Sequence, residues 1–222
     1  MNSEMPKPLV IIGGGGHASI LTDILRSQHR EIVAVISPDD ISVRTVFRGI
    51  PQLKRDEEIL NFDRDSVNLV NGIGMLPNSG LRQKVNEYFL SLGYQFESVI
   101  ADSAQVSPFA IVQTGAQVLH GAIIQAGANI GSHSIVNTGV IIEHDCRIGS
   151  YCHIAPRATL CGQVLVEPRV FVGAGAVIIQ NLTIAEGCIV GAGVTLAVSL
   201  FDAQICYCTK PATKSIKTKV DS

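Results

Sequence analysis

The chain has no tryptophan, and aromatic residues make up only 5% of its 222 residues, although 46% are hydrophobic. Its apolar residues are therefore mostly small or branched aliphatic ones, which suit repetitive packing. The chain also has no large excess of positive or negative charge, because it contains 17 Lys and Arg and 19 Asp and Glu with no block of like charge. Such a chain lacks the basic footprint of a nucleic-acid-binding protein, and we expect no nucleic-acid partner.

Long apolar runs are absent as well. Nowhere do 18 apolar residues follow one another, and the first eight residues, with Glu4 and Pro6, do not look like a secretory signal. We therefore expect a cytoplasmic protein with no membrane partner.

The six cysteines all lie in the last third, without CxxC spacing or histidines at zinc-finger distances. This pattern predicts neither a disulfide framework nor a metal site, and most of the cysteines are expected to be small core residues.

The first hundred residues alternate short apolar runs with amphipathic stretches. We predict strands over residues 9–12, 32–36 and 67–73, and helices over residues 18–28 and 79–92. Strands that alternate with helices are typical of a parallel sheet. The sequence thus predicts a small Rossmann-like α/β domain, which we bound at residues 1–103.

A six-residue repeat replaces this pattern from about residue 104. Val, Ile or Leu occupies all sixteen positions reached in steps of six from Val106 to Leu196. Glycine directly follows the anchor, where we expect a tight turn to require it, at Gly131, Gly149, Gly173 and Gly191. The repeat predicts a parallel β-helix over residues 104–198, in which each unit buries its apolar side only by stacking on its neighbours. Residues 199–222 are assigned to a C-terminal closure and a basic tail.

This repeat resembles that of the hexapeptide-repeat acyltransferases. The resemblance implies a left-handed β-helix with three hexapeptides, or eighteen residues, in each triangular coil. It also implies a homotrimer of parallel β-helices. A purely structural solenoid is the alternative.

Imidazoles and charges are scarce within the repeat, so the run Glu143-His144-Asp145 stands out. Acyl transfer to an amine or hydroxyl needs a base of near-neutral pKa and a carboxylate that orients it. His144 with Asp145, or with Glu143, could supply both roles, whereas a solvated surface histidine is the alternative. If the coils are in register, Gly162 lies one coil beyond His144 with no side chain in the way. Its backbone N–H could then bind an oxyanion.

A narrower resemblance rests on three segments together with the N-terminal half. These are Asn137-Thr138, the run from Ile142 to Cys146, and the run from His153 to Gly162. They resemble the sugar acyltransferases, a family that includes UDP-bacillosamine pathway and GDP-perosamine N-acetyltransferases and sialic acid O-acetyltransferases. The resemblance implies that His144 is the general base, that Asp145 supports it and that the Gly162 amide faces the thioester carbonyl. It also implies that His153 lies near the acetyl group of acetyl-CoA and that Asn137 contacts the sugar.

The same resemblance implies that Ala174 and Ala192, one coil apart, line the path of the pantetheine. At the C-terminus the sequence departs from the family, because Thr209-Lys210-Pro211-Ala212 stands where Gly-x-Pro-Ala is usual. Lys214, Lys217 and Lys219 follow, and we interpret them as a solvated tail rather than as contacts to the CoA phosphate.

The N-terminal half carries Gly13-x-Gly15-x-x-Ala18 between a predicted strand and a predicted helix. In this setting glycine backbones and a helix N-terminus cradle phosphate oxygens. By itself the motif indicates NAD, with Asp39 or Asp40 as the ribose acid. The resemblance implies instead the nucleotide of a sugar nucleotide, with His17, Gly72 and Arg82 around it. Ordinary turn glycines and a surface arginine are the alternative, and Ser37 replaces the acidic residue that is common in the family.

The sequence therefore predicts an acetyl-CoA-dependent N-acetyltransferase without a metal. Its acceptor would be the 4-amino group of a nucleotide-linked deoxyamino sugar, in the synthesis of a bacterial surface glycan or glycoprotein. The resemblance adds active sites at the subunit interfaces of a homotrimer. Two alternatives stay open: an O-acetyltransferase of sialic or a related nonulosonic acid, and a non-catalytic nucleotide-binding protein.

Overall fold

The structure is a computed structural model that describes residues 6–202 and the backbone of residues 205–206. Its N-terminal part is a four-stranded parallel sheet with the strand order β3-β2-β1-β4. The strands are β1 (Leu9–Ile12), β2 (Ile32–Ile36), β3 (Gln52–Leu53) and β4 (Asn68–Asn71), and the helices are α1 (Gly16–Ser27) and α2 (Leu81–Ser91). Two short 3-10 helices span Thr45–Phe47 and Asp56–Asn61. The predicted α/β class is confirmed, although the sequence analysis did not predict β3.

Both faces of this sheet are covered, which explains why its central strands are apolar throughout. All four residues of β1 are buried. On one face they pack with Leu21 and Ile24 of α1, and on the other with Phe89 of α2. The α1 side of this core continues into Val99 and Leu119 at the beginning of the repeat. Apolar contacts therefore join the N-terminal domain to the first coil, while the interior of the β-helix forms a core cluster of its own.

The repeat region folds into three parallel sheets of a left-handed β-helix. We call them faces A, B and C in chain order. Face A contains Val99–Ile100, Gln117–Val118, Ile135–Val136, His153–Ile154, Phe171–Val172, Ile189–Val190 and Ile205–Cys206. Face B contains Gln105–Val106, Ile123–Ile124, Ile141–Ile142, Thr159–Leu160, Val177–Ile178 and Thr195–Leu196. Face C contains Ile111–Val112, Asn129–Ile130, Arg147–Ile148, Leu165–Val166 and Thr183–Ile184.

Successive strands of a face pair at a separation of eighteen residues, so the predicted coil length is confirmed. The exception is the last pair of face A, in which Ile189 pairs with Ile205, sixteen residues further on. All sixteen predicted anchors are the second residue of a strand, and fourteen of them are buried. The first strand of face A, Val99–Ile100, already pairs with Gln117–Val118 ahead of the boundary that we predicted at residue 104.

We name the corners after the faces they join, and the same names apply in every coil. In one coil, residues 137–140 lie at corner AB, residues 143–146 at corner BC and residues 149–152 at corner CA.

The glycines that follow the anchors are needed for a reason other than the expected turn. A Cβ on Gly131 would lie 2.5 Å from the backbone carbon of Gly149 in the next coil, and a Cβ on Gly173 would lie 2.4 Å from the nitrogen of Ala192. The backbone with positive φ is found two residues later, at every sixth residue from Gly115 to Gly193, for example at His133 and at Gly175. Close stacking of coils, and not turn conformation, therefore selects glycine directly after the anchor.

Among the described residues, no helix combines the length and the apolar character that a membrane crossing requires. Of the predicted C-terminal closure and tail, only residues 199–202 and the backbone of residues 205–206 fall within the described part. Thr209 to Ala212 and the three tail lysines lie outside it.

Candidate active site

Corner BC carries the predicted dyad. It follows the strand Ile141–Ile142, and the N–H of Asp145 donates to the carbonyl of Ala126 one coil below, at 3.1 Å. The imidazole Nδ1 of His144 lies 2.9 Å from Oδ2 of Asp145, and both side chains are more than half exposed. An ionised carboxylate can only accept a hydrogen bond, so Nδ1 carries the proton and Nε2 keeps its lone pair. This tautomer is the one that a general base requires.

Gly162 lies directly over this imidazole. The N–H of Gln163 donates to the carbonyl of His144 at 2.9 Å, and a Cβ on Gly162 would lie only 2.5 Å from Nε2. Within the described part of the chain, the N–H of Gly162 donates to no acceptor. The stacking predicted from the eighteen-residue coil is therefore found, and it leaves one free donor beside the base. The catalytic roles of His144, Asp145 and Gly162 stay predictions.

A second cluster lies where the N-terminal domain meets face A and corner AB. It is a cleft of about 530 Å³. Six of the predicted ligand-binding residues line it: Gly13, Gly15, His17, Gly72, Asn137 and His153. Residues that are more than a hundred positions apart in the sequence thus form one cavity.

Glycines give this cleft its open backbone. Gly13 has a φ of 96°, and a Cβ on Gly72 would lie 2.6 Å from the Cβ of Ala18 on α1. A Cβ on Gly15 or Gly16 would meet nothing within 4 Å, and no side chain caps the N-terminus of α1. Helix N-terminal amides that no side chain caps are suited to binding an anion such as phosphate.

His17 is held as a neutral imidazole at the inner end of the cleft. Its Nε2 donates to Oε1 of Gln117 at 2.7 Å, and Nε2 of Gln117 donates to the carbonyl of Asn71 at 2.8 Å. Burial, and then the positive charge of Arg82, lower the pKa of His17 to about 4. Sequence reasoning missed Gln117. Gln117 directly precedes the anchor Val118, where Gln105 before Val106 is exposed, yet Gln117 is 1% exposed because the N-terminal domain covers it.

His153 bridges the two halves of the cleft with both ring nitrogens. Nδ1 donates to the carbonyl of Met75 at 3.0 Å, and Nε2 accepts from the amide of Asn137 at 3.0 Å. Burial lowers the pKa of His153, so the ring is neutral. The structure thus places His153 in the lining of the cleft, and its predicted proximity to the acetyl group stays a prediction.

Two predicted nucleotide-sugar residues lie outside the cleft lining. Asp39 is exposed, and the space beside Gly14 is taken by Ile41 and Ser37, whose atoms would lie 2.5 Å and 2.8 Å from a Cβ there. Arg82 is 2% exposed and binds backbone carbonyls instead. Neither side chain lines the cleft, and the roles of both in binding stay predictions.

Ala174 and Ala192 are exposed at corner AB, two and three coils beyond Asn137. The N–H of Gly193 donates to the carbonyl of Ala174 at 2.9 Å, which sets the two alanines one above the other. Their stacked methyl groups form a small-residue surface that leaves room for an extended chain such as pantetheine. Among residues 6–202, no three His, Cys, Asp or Glu side chains gather as metal ligands would.

The two clusters lie at different corners of one prism. The cleft and the alanines lie at corner AB, whereas His144 and Gly162 lie at corner BC, with face B between them. A fully extended hexapeptide spans at most about 20 Å. No described residue of corner BC belongs to the lining of the cleft at corner AB.

Comparison with known proteins shows two family matches. Residues 8–89 match the PglD N-terminal domain, and residues 127–162 match the bacterial transferase hexapeptide repeats. A curated relative, GDP-perosamine N-acetyltransferase of Escherichia coli O157:H7, is 31% identical over 118 residues. That match spans only about half the length of either protein, 53% of each.

Solved structures match over almost the whole chain. A histidine variant of GDP-perosamine N-acetyltransferase from Caulobacter crescentus, in complex with CoA and GDP-perosamine, is 33% identical with a TM-score of 0.81. The match covers 89% of this chain and 92% of that one. The acetyltransferase domain of PglB from Neisseria gonorrhoeae FA1090, in complex with acetyl coenzyme A, is 25% identical with a TM-score of 0.81. Here 90% and 96% of the two chains are covered.

Proposed function

Because the chain belongs to the hexapeptide-repeat sugar acyltransferase family, we propose that it transfers the acetyl group of acetyl-CoA to the 4-amino group of a nucleotide-linked deoxyamino sugar. The product would enter the synthesis of a bacterial surface glycan or glycoprotein. We propose a cytoplasmic location, where both substrates would be available.

The observation that carries this proposal is the arrangement at corner BC. The Nδ1 proton of His144 is bound by Asp145, so Nε2 is free to take a proton from the attacking amine. The carboxylate also stabilises the imidazolium that results. The N–H of Gly162 supports a role as donor to the oxyanion that forms when the amine attacks the thioester carbonyl. An uncharged amine is needed, because an ammonium has no lone pair.

The acceptor would bind in the cleft at corner AB. The open amides at Gly15 and Gly16 suit the diphosphate, and Asn137 lies where it can contact the sugar. Ala174 and Ala192 leave space for the pantetheine of acetyl-CoA along the same corner. Acetyl-CoA serves as a co-substrate, and the reaction as proposed requires no covalent enzyme intermediate.

We propose that the complete site forms between two subunits of a homotrimer, since base and cleft lie at opposite edges of face B. The outward side chains of face B carry no charge: Gln105, Ile123, Ile141, Thr159, Val177 and Thr195. If face B is the contact surface around a three-fold axis, corner AB of one subunit meets corner BC of the next. The base of one chain then reaches the cleft of its neighbour.

The test is thiol release from acetyl-CoA with a panel of UDP-, GDP- and dTDP-linked 4-amino sugars and free sialic acid, with product masses recorded. We expect one acetyl group to be added to one nucleotide amino sugar, and turnover to fall about 100-fold or more in His144→Ala. Acetylation of sialic acid alone would identify an O-acetyltransferase instead. If no acceptor gives thiol release, a non-catalytic binding protein is the remaining alternative. Stabilisation by NAD alone in a thermal-shift screen would support that alternative.

A subunit-mixing experiment tests the composite site. His144→Ala and Gly15→Val each remove a different half, so each variant alone should be nearly inactive. If the site is shared, mixed trimers refolded from both variants should regain part of the wild-type turnover. Mixtures that stay inactive would place the whole site within one chain.

A further inference from the structure

The wall of the acceptor cleft is the segment from Asn71 to Met75. The carbonyl of every second residue in this segment accepts a hydrogen bond from a side chain. The carbonyl of Asn71 accepts from Gln117 at 2.8 Å and from Arg82 at 3.0 Å. The carbonyl of Ile73 accepts from Arg82 at 2.6 Å, and that of Met75 accepts from His153 at 3.0 Å. Asn71 ends β4, and the N–H of Gly72 donates to the carbonyl of Ile12 in β1 at 2.7 Å. Beyond Gly72 the wall is held by side chains.

Arg82 is the central member of this set. It lies on α2 and is 2% exposed. Its Nη1 binds two of the three carbonyls, and its Nε donates to the carbonyl of His133 on the β-helix at 3.3 Å. One guanidinium therefore ties the cleft wall, α2 and the coil together. A lysine ammonium cannot reproduce these contacts, because it lacks the planar fork of donors.

Stability alone gives a poor reason for an arginine at this position. Its remaining nitrogen, Nη2, is buried without a hydrogen-bond partner among the described residues. Leaving a charged donor unsatisfied costs free energy, so a buried unpaired donor calls for a functional explanation. Burial also lowers the pKa of Arg82 to about 9, which still leaves it charged at neutral pH.

We propose that Arg82 is a positioning residue for the acceptor: it holds the Asn71–Met75 wall at a fixed distance from the coil and thereby sets the affinity for the nucleotide sugar. The proposal rests on the proposed function, because it takes the cleft to be the acceptor site. Arg82 itself lies outside the lining of the cleft, so it acts through the backbone that it binds.

The experiment compares Arg82→Lys with Arg30→Lys. Arg30 is a matched control in the same domain: its guanidinium binds both carboxylate oxygens of Glu97 and the carbonyl of Lys7, and it has no contact with the cleft. We expect Arg82→Lys to raise the KM for the nucleotide sugar at least tenfold and to change the KM for acetyl-CoA less than twofold. Arg30→Lys should lower the melting temperature while leaving both KM values unchanged.

Amide hydrogen exchange gives a second readout that requires no turnover. Exchange at the hydrogen-bonded amides of Gly72 and Ile73 should become at least tenfold faster in Arg82→Lys and stay unchanged in Arg30→Lys. Should Arg82→Lys fail to fold, Gln117→Met removes one of the two side-chain bonds to the Asn71 carbonyl and should raise the same KM by a smaller factor.

The proposal is overturned if Arg82→Lys leaves the nucleotide-sugar KM within twofold, or if Arg30→Lys raises it equally. If the wild-type protein acetylates no acceptor, the proposed function fails, but hydrogen exchange still tests whether Arg82 holds the Asn71–Met75 wall in place. In that case unchanged exchange at the Gly72 and Ile73 amides would overturn it, and faster exchange confined to Arg82→Lys would support it.

Discussion

Gly162→Ala tests the candidate base through a single added methyl group. The new Cβ would lie 2.5 Å from Nε2 of His144 and 2.6 Å from its Cε1, about 0.9 Å inside the 3.4 Å at which ordinary contact begins. The imidazole is the exposed end of a mobile side chain and can swing away. The fold should therefore survive, but a swing of that size breaks the 2.9 Å bond to Asp145 and moves Nε2 from the Gly162 amide.

We expect Gly162→Ala to lower kcat about 100-fold, which corresponds to about 2.7 kcal/mol of barrier and to the loss of a general base. The melting temperature should change by less than about 2 °C, because no buried contact is lost. The assay is thiol release from acetyl-CoA with the acceptor that the wild-type protein uses. A Gly162→Ala variant with kcat within twofold of wild type would refute the reasoning.

A double variant separates displacement of His144 from a direct effect on the oxyanion. If the methyl group acts only by displacing His144, Gly162→Ala combined with His144→Ala should be no slower than His144→Ala alone. Additive losses would instead mean that position 162 contributes through its own N–H. Either result is read from kcat at saturating acetyl-CoA.

Three further predictions concern stability and reactivity. Gly131→Ala should destabilise the protein by about 2 kcal/mol in urea unfolding, because its Cβ would meet backbone atoms of the next coil at 2.5 Å that cannot move away, and an unchanged midpoint would contradict this. Burial lowers the pKa of His17 and of His133 from 6.5 to about 4, so the folded state binds fewer protons than the unfolded state once the pH falls below 6.5. Unfolding free energy should then drop by about 2 kcal/mol per histidine between pH 7.5 and pH 5, and equal values at both pH values would show that these rings are not buried as neutral groups. Burial raises the pKa of Cys152 to about 12, so native alkylation at pH 8 followed by peptide mapping should spare Cys152 and modify the partly exposed Cys161 before it, whereas equal labelling of these two would mean that the coil opens there.

Most of the architecture follows from local periodicity. The six-residue spacing of Val, Ile and Leu placed every anchor at the second position of a strand, since each coil buries one apolar side chain per face and stacks on an equivalent coil. The amphipathic spacing of α1 and α2 likewise located both helices to within two residues. The stacking of Gly162 over His144 followed from the same period, because a repeat of fixed length converts sequence distance into spatial register.

Contacts between the halves could not be read from such patterns. Gln117 binds His17 across 100 residues, His153 binds Met75 across 78, and Arg82 binds His133 across 51. Arg82 shows the limit of sequence reasoning most clearly, because its burial behind the cleft wall follows from no local pattern, while its role around the ligand stays a prediction. The separation of His144 from the cleft by face B also appears only in three dimensions. The sequence alone determined which residues stack within the repeat, because that geometry is periodic; the docking of one domain on the other depends on non-repeating contacts, and only the tertiary structure decided it.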